Sequence, residues 1–199
     1  VFPQPDGIGR VAKLNRLLES PFTLHRAMLE RIGREAGNAA SGRPARIIAK
    51  VNSLVEPQII QALYEASMAG VNVDLIVRGM CRLRPGVPGV SERIQVRSII
   101  GRFLEHTRVF YFENGGAPEV FAASADWMER NFFRRVDLCF PLIDRRLRER
   151  VIGELESYLR DNVQAWILHS DGSYRRAEPG DEKTFAAQQA LLDVLAESV

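Results

Sequence analysis

An α/β fold, a mixed β-sheet flanked by helices, follows from three features of the chain. The consecutive stretches ARIIAKVNSL, EPQIIQALYEASMAG and VNVDLIVRG carry a strand pattern, a helix pattern and a second strand pattern, which is a βαβ unit and so a parallel strand pair. Within it, DLIV is nearly continuous apolar sequence, as expected of a strand covered on both faces. Two later strand patterns, TRVFYFENGG and PEVFAASADW, meet through an NGG turn signal and read as an antiparallel hairpin.

Residues 1–20 mix turn formers with one short amphipathic stretch, RVAKLNRLLES, and read as a linker or a docking helix, with the linker from a preceding domain set at 1–16 and the domain itself at 17–199. The Pro/Gly-rich lead-in after Val1 is the kind of sequence expected of a cut from inside a longer protein. From Thr23, a good N-cap, LHRAMLERIGREAGNAA sets Leu24, Met28, Leu29 and Ile32 at helical spacing, and SGRP ends the helix. The βαβ unit follows. Its helix has Pro57 near the first turn, Gly70 at the C-terminus, and a stripe of Ile60, Leu63, Tyr64 and Ser67. Residues 81–93, CRLRPGVPGVSER, make a long loop at the carboxyl end of the second strand, where α/β proteins commonly carry function. After the strand IQVRSII and the hairpin, RVDLCFPLI adds another strand. DRRLRERVIGELESYLRDN is an amphipathic helix with Leu147, Val151, Leu155 and Leu159 at helical spacing. VQAWILHS reads as an edge strand and TFAAQQALLDVLAES as a final helix.

A length of 199 residues suits one compact domain, and 46% hydrophobic content supports a sizeable core. Lys+Arg at 27 against Asp+Glu at 25 leaves a net charge of +2, too small to announce a nucleic-acid partner. The local distribution says more: Arg78, Arg82, Arg84, Arg93, Arg97, Arg102 and Arg108 face only Glu92 and Glu105, so this stretch predicts a cationic wall for an anionic ligand. Cys81 and Cys139 fit neither a metal cluster nor a disulfide framework; they read as buried thiols in a reducing, intracellular setting, with no metal site. No apolar run approaches the roughly 20 residues of a membrane span, and the start lacks the regions of a signal peptide.

His106 is the main candidate for chemistry. It precedes Arg108 by two residues at the entrance of an alternating strand, which sets both side chains on one side. A histidine beside a fixed cation suits phosphoryl chemistry: imidazole moves a proton or attacks, and guanidinium holds phosphate oxygens in a fork. A polar residue marking a strand end is an equally good account from the sequence alone. Arg78 and Gly79 close the strand VDLIV, where the same choice arises between emergence into solvent and ligand contact. Lys50 and Asn52 end the preceding strand and would lie beside Arg78 in a parallel pair. SADWMERN groups Ser124, Asp126 and Asn131, either as a turn that buries Trp127 or as groups that orient an imidazole. Arg134 and Arg135 fit a solvated edge, and His25 and His169 read as solvated.

The blocks from RPARIIAKVNSLVEP through VRGMC and RFLEHTRVFYFENGG to SADWMERNFFRRV, in that order, closely resemble the C-terminal domain of bacterial polyphosphate kinases of the first type. The resemblance runs from about SPFTLHR to about LIDRRLRERV. It implies one half of a phospholipase D-like fold, in an enzyme that moves the terminal phosphoryl of ATP to polyphosphate reversibly with Mg2+. His106 then becomes the second active-site histidine and Arg78 the arginine on the ATP phosphates, with Arg108 beside them. The family's phosphorylated histidine lies in a preceding domain, in a His-x-Lys motif that nothing here matches. His106, Arg108 and Glu113 echo the phospholipase D spacing with similar residue types, while Ser124 and Asn131 echo its next element only loosely. The partners so implied are ATP or ADP, polyphosphate, the preceding domains and a homo-oligomer. The implied location is the cytoplasm, or the periphery of the inner membrane. The isolated chain is expected to be inactive. Two other readings stay open: a non-enzymatic module that binds nucleotide or polyanion, and a phosphodiesterase half-site completed by two facing His106 side chains.

Overall fold

A computed structural model of the chain describes residues 16–196, so all but the last residue of the expected linker lies outside the described residues. Its elements are β1 (Leu18–Glu19), α1 (Leu24–Ala40), β2 (Arg46–Val51), α2 (Pro57–Met68), β3 (Asn72–Val77), β4 (Ile94–Ile99), β5 (Arg108–Phe112), β6 (Glu119–Ala123), α3 (Glu129–Phe133), β7 (Leu138–Pro141), α4 (Arg145–Arg160), β8 (Ala165–Leu168), β9 (Tyr174–Arg176) and α5 (Ala187–Ala196). The strands form one sheet in the order β1-β7-β6-β5-β2-β3-β4-β8-β9. β2, β3 and β4 run parallel, β5 returns antiparallel along β2, and the expected hairpin pairs Arg108 with Ala123 and Phe112 with Glu119. The mixed sheet is therefore present as predicted.

Coverage on both faces explains why DLIV in β3 reads as a nearly continuous apolar run. Ile47, Ala49 and Val51 join Val73, Leu75, Val77, Phe110 and Phe112 in a core beneath α1 and α2. Ile48, Ile76, Tyr111 and Val120 pack on the opposite face with Leu155 of α4. Lys50 alternates onto this second face too, with its ammonium over the Tyr158 ring of α4. Both faces of the central strands are covered, so the helices fix where the strand ends emerge.

Several local expectations shift. Thr23 precedes α1 but caps none of its amides; its hydroxyl instead accepts from the Glu19 amide at 2.9 Å. On α2 the buried stripe is Ile59, Leu63, Ala66 and Ser67, one residue round from the predicted one, and Glu56 caps the helix by accepting from the Ile59 amide. Leu147 projects from the first turn of α4 at 54% exposure, whereas Leu155 is the buried anchor. The strand expected at the edge, β8, is covered by β9, and α5 begins at Ala187, whose amide donates to Asp161.

Candidate functional site

The carboxyl ends of β2 and β3 and the start of β5 meet at one end of the sheet, and five of the residues singled out from the sequence form one connected network there. Arg78, just past β3, donates from Nε to Asn52 Oδ1 at 3.0 Å. Asn52 turns its amide to Asp126 Oδ1, with Nδ2 at 3.0 Å and its backbone N–H at 2.7 Å. Asp126 lies beyond β6 and receives a fork from Arg108, Nε to Oδ1 at 3.2 Å and Nη2 to Oδ2 at 3.1 Å. Arg108 Nη1 then stands 3.3 Å from both Nδ1 and the carbonyl oxygen of His106. Burial opposes ionisation of Asp126, yet the Arg108 fork and the Asn52 donors outweigh it and hold the carboxyl below its ordinary value. Arg108 is thus a braced cation, with His106 and Arg78 exposed on either side.

His106 itself lies ahead of β5, not on it, because the strand begins at Arg108. The loop that carries it is held by Lys50, expected beside Arg78, and by Glu105, Thr107 and Gln188, to which the sequence assigned no role in the site. Lys50 Nζ forms an ion pair with Glu105 Oε2 at 2.9 Å and donates to Thr107 Oγ1 at 2.6 Å. Gln188 of α5 donates to Glu105 Oε1 at 2.8 Å and to the Phe103 carbonyl at 2.8 Å. Burial drives the Lys50 ammonium below its usual range, with Glu105 working against that shift. A lysine inside a buried strand needs an acid, so RIIAKV already demands one; that the acid is Glu105, the neighbour of His106, is a tertiary fact.

Gly79 is required here for a steric reason: a Cβ on it would come within 2.9 Å of the Asn52 carbonyl oxygen, so the two strand ends can approach only with glycine. Other sequence expectations do not converge on the site. Ser124 donates to Asp137 at 2.7 Å and Asn131 to the same carboxylate at 2.9 Å, so neither orients His106. Glu113 is bonded to the Tyr111 hydroxyl, past the far end of β5. The arginine wall also breaks up. Arg93 precedes β4 and reaches Asn72, while Arg84 donates to the Ser170 carbonyl and Arg97 to the carbonyl ends of α4. His25 is not solvated: it lies 3.2 Å from Glu56 and packs edge-on against Phe132. His169 is half-buried, as is Cys81, whereas Cys139 is buried as expected. Trp127 is fully buried against Phe110.

Residues 17–188 match the family described as polyphosphate kinase C-terminal domain 2. The chain belongs to this family. Polyphosphate kinase from Pseudomonas aeruginosa is 56% identical over 200 residues, covering all of this chain and 29% of that protein. The crystal structure of polyphosphate kinase from Porphyromonas gingivalis superposes with a TM-score of 0.92 at 39% identity, covering 97% of this chain and 30% of that one. Nuc of Salmonella typhimurium, a phospholipase D family member, gives a TM-score of 0.56 at 16% identity, covering 78% of this chain and 97% of that one, and so shares the fold. The chain spans under a third of the length of these kinase relatives.

In this polyphosphate kinase domain the carboxylates nearest His106 do not make a metal cage. Glu105 is taken by Lys50 and Asp126 by Arg108, and among the described residues no three His, Cys, Asp or Glu side chains cluster for an ion. Among the described residues no helix is long and apolar enough to cross a membrane.

Proposed function

We propose that the chain works within a full-length ATP:polyphosphate phosphotransferase and supplies its second active-site histidine and its ATP-phosphate contacts. Family membership together with the network that joins Arg78, Asn52, Asp126, Arg108 and His106 at one sheet end supports this reading. In the forward direction a histidine of a preceding domain attacks the terminal phosphorus of ATP. The bond to the bridging oxygen breaks, ADP leaves, and the phosphoryl group rests on nitrogen. A terminal oxygen of polyphosphate then attacks that phosphorus and lengthens the chain by one unit. Opposite, exposed His106 donates or accepts the proton on the leaving or entering phosphate. Arg78 holds the ATP phosphates, and Arg108 presents fixed positive charge beside the imidazole. Mg2+ enters with the nucleotide phosphates. The 199-residue chain alone lacks the nucleophile and is inactive; the full protein is a cytoplasmic homo-oligomer, or a peripheral one at the inner membrane.

The test is His106→Ala in the full-length protein, assayed for polyphosphate synthesis from ATP. Turnover should be lost, and undiminished turnover sinks the assignment. Labelled ATP given to the 199-residue chain should yield neither phosphoenzyme nor chain growth. A full-length protein that binds polyphosphate in a salt-sensitive way without turning over ATP would instead establish the binding-module reading.

A further inference from the structure

We infer that Lys50 is a positioning residue for His106: its ammonium holds the side chains of the two residues flanking the histidine and so fixes where the imidazole stands. The consequence for turnover rests on the phosphotransferase reading above; the geometry of the clamp does not.

Lys50 sits on β2, in the middle of the sheet, with its side chain only 2% exposed. A central strand gains nothing from a lysine there. Desolvating an ammonium is costly, and a buried ion pair is commonly no more stabilising than apolar residues of the same volume. What the charge does provide is direction. The ammonium has three donors; two are spent on Glu105 Oε2 and Thr107 Oγ1, at 2.9 Å and 2.6 Å, while the Tyr158 ring face lies 4.9 Å away. Glu105 and Thr107 are the immediate neighbours of His106. With both flanking side chains drawn inward to one point, the intervening side chain is turned outward, toward Arg108 and solvent.

The clamp is anchored at a second place. Gln188 binds Glu105 Oε1 and pairs with both backbone groups of Phe103, accepting from its N–H at 3.0 Å and donating to its carbonyl at 2.8 Å. The loop before β5 is therefore fixed at residues 103, 105 and 107, which leaves exposed His106, beside Arg108, in position to meet a ligand. Lys50 bonds to the loop and not to His106; its charge is also felt by Arg78 and Arg108, which is why the uncharged Thr107 arm is tested beside it. A displacement of about 1 Å at a reacting group can cost around 100-fold in rate, which is the leverage such a tether has.

Two experiments with separate readouts test this. In the full-length enzyme, Lys50→Met and the exposed Thr107→Val should lower kcat, Lys50→Met by about 10- to 100-fold, with KM for ATP nearly unchanged. Thr107→Val removes one arm of the clamp and one acceptor of a buried ammonium, so it should melt slightly below wild type yet stay folded at the assay temperature, and its kcat loss is then not a folding defect. In the 199-residue chain, which has only three histidines, imidazole resonances report the geometry without any turnover. Those of His106 should shift or broaden in both variants, while those of His25 and His169 stay in place. His106 resonances that do not move in Thr107→Val, or kcat retained in folded Lys50→Met, overturn the inference. A wild-type full-length protein inert toward ATP overturns only the phosphotransferase reading, since the resonance experiment then still decides the clamp.

Discussion

Replacing Asp126 with alanine is the sharpest probe of the network. The carboxylate accepts four bonds, two from Arg108 and two from Asn52, between 2.7 and 3.2 Å. Its side chain is 6% exposed and that of Arg108 16% exposed. Removing one partner of a buried, hydrogen-bonded pair costs roughly 3–5 kcal/mol, and the partial exposure of Arg108 lets its guanidinium recover some hydration, which sets the expectation near about 3 kcal/mol. For a domain of this size that lowers the melting temperature by about 6–12 °C. Urea denaturation of the 199-residue chain, wild type against Asp126→Ala, measures it. The double variant with Arg108→Ala should cost less than the sum of the single ones, because the orphaned cation is then gone too. The sign with pH is fixed by the depressed carboxyl. Its stabilisation is complete above the ordinary aspartate value of 3.8 and fades as pH falls through the lower folded value, so wild type and Asp126→Ala should converge in acid. A loss under about 0.5 kcal/mol at neutral pH would place Asp126 among ordinary surface residues and refute the bracing of Arg108.

Gly79→Ala should destabilise the chain by about 1–3 kcal/mol, because the new methyl must push against the Asn52 carbonyl oxygen, a backbone atom that cannot rotate away. The same push displaces Arg78, so on the proposed reading the affinity of the full-length protein for ATP should fall along with stability; unchanged stability in calorimetry would contradict the close approach. Burial pushes the Cys81 thiol up to about 11 and the Cys139 thiol up to about 12, so at pH 8 about one thiol in a thousand or fewer is thiolate. Titration with a thiol reagent should therefore be slow in the native chain, with half-buried Cys81 reacting before buried Cys139, and fast in urea. Rapid native labelling of Cys139 would show that its environment opens.

The sheet was legible in the sequence because its central strands and long helices carry enough residues to display a period. β1, α3 and β9 were not, being two, five and three residues long, too short for alternation or a helical stripe to register. The site was legible to the extent that it is a property of strand ends. Asn52, Arg78, Arg108 and Asp126 follow or begin strands at the same end of the sheet, so topology alone brings them together. The direction of side chains beyond those ends is another matter, since loop geometry sets it. That is why Ser124 turned to Asp137 and why Arg84 reaches the Ser170 carbonyl, whereas Arg97, inside β4, is carried onto α4 by strand alternation.

The clamp on His106 marks where a sequence reading could have gone one step further. A charge within an otherwise apolar central strand is too costly to stand unpaired, so Lys50 by itself demanded an acid inside the fold. Strand order narrows the choice: β2 lies between β3 and β5, and at the end where Lys50 points, the nearest acid in sequence to either neighbour is Glu105, just ahead of β5. That residue adjoins the one histidine already suspected of chemistry. The two signals, a stranded lysine and an isolated histidine, are parts of one arrangement, and the buried polar residue is what gives the exposed one its place.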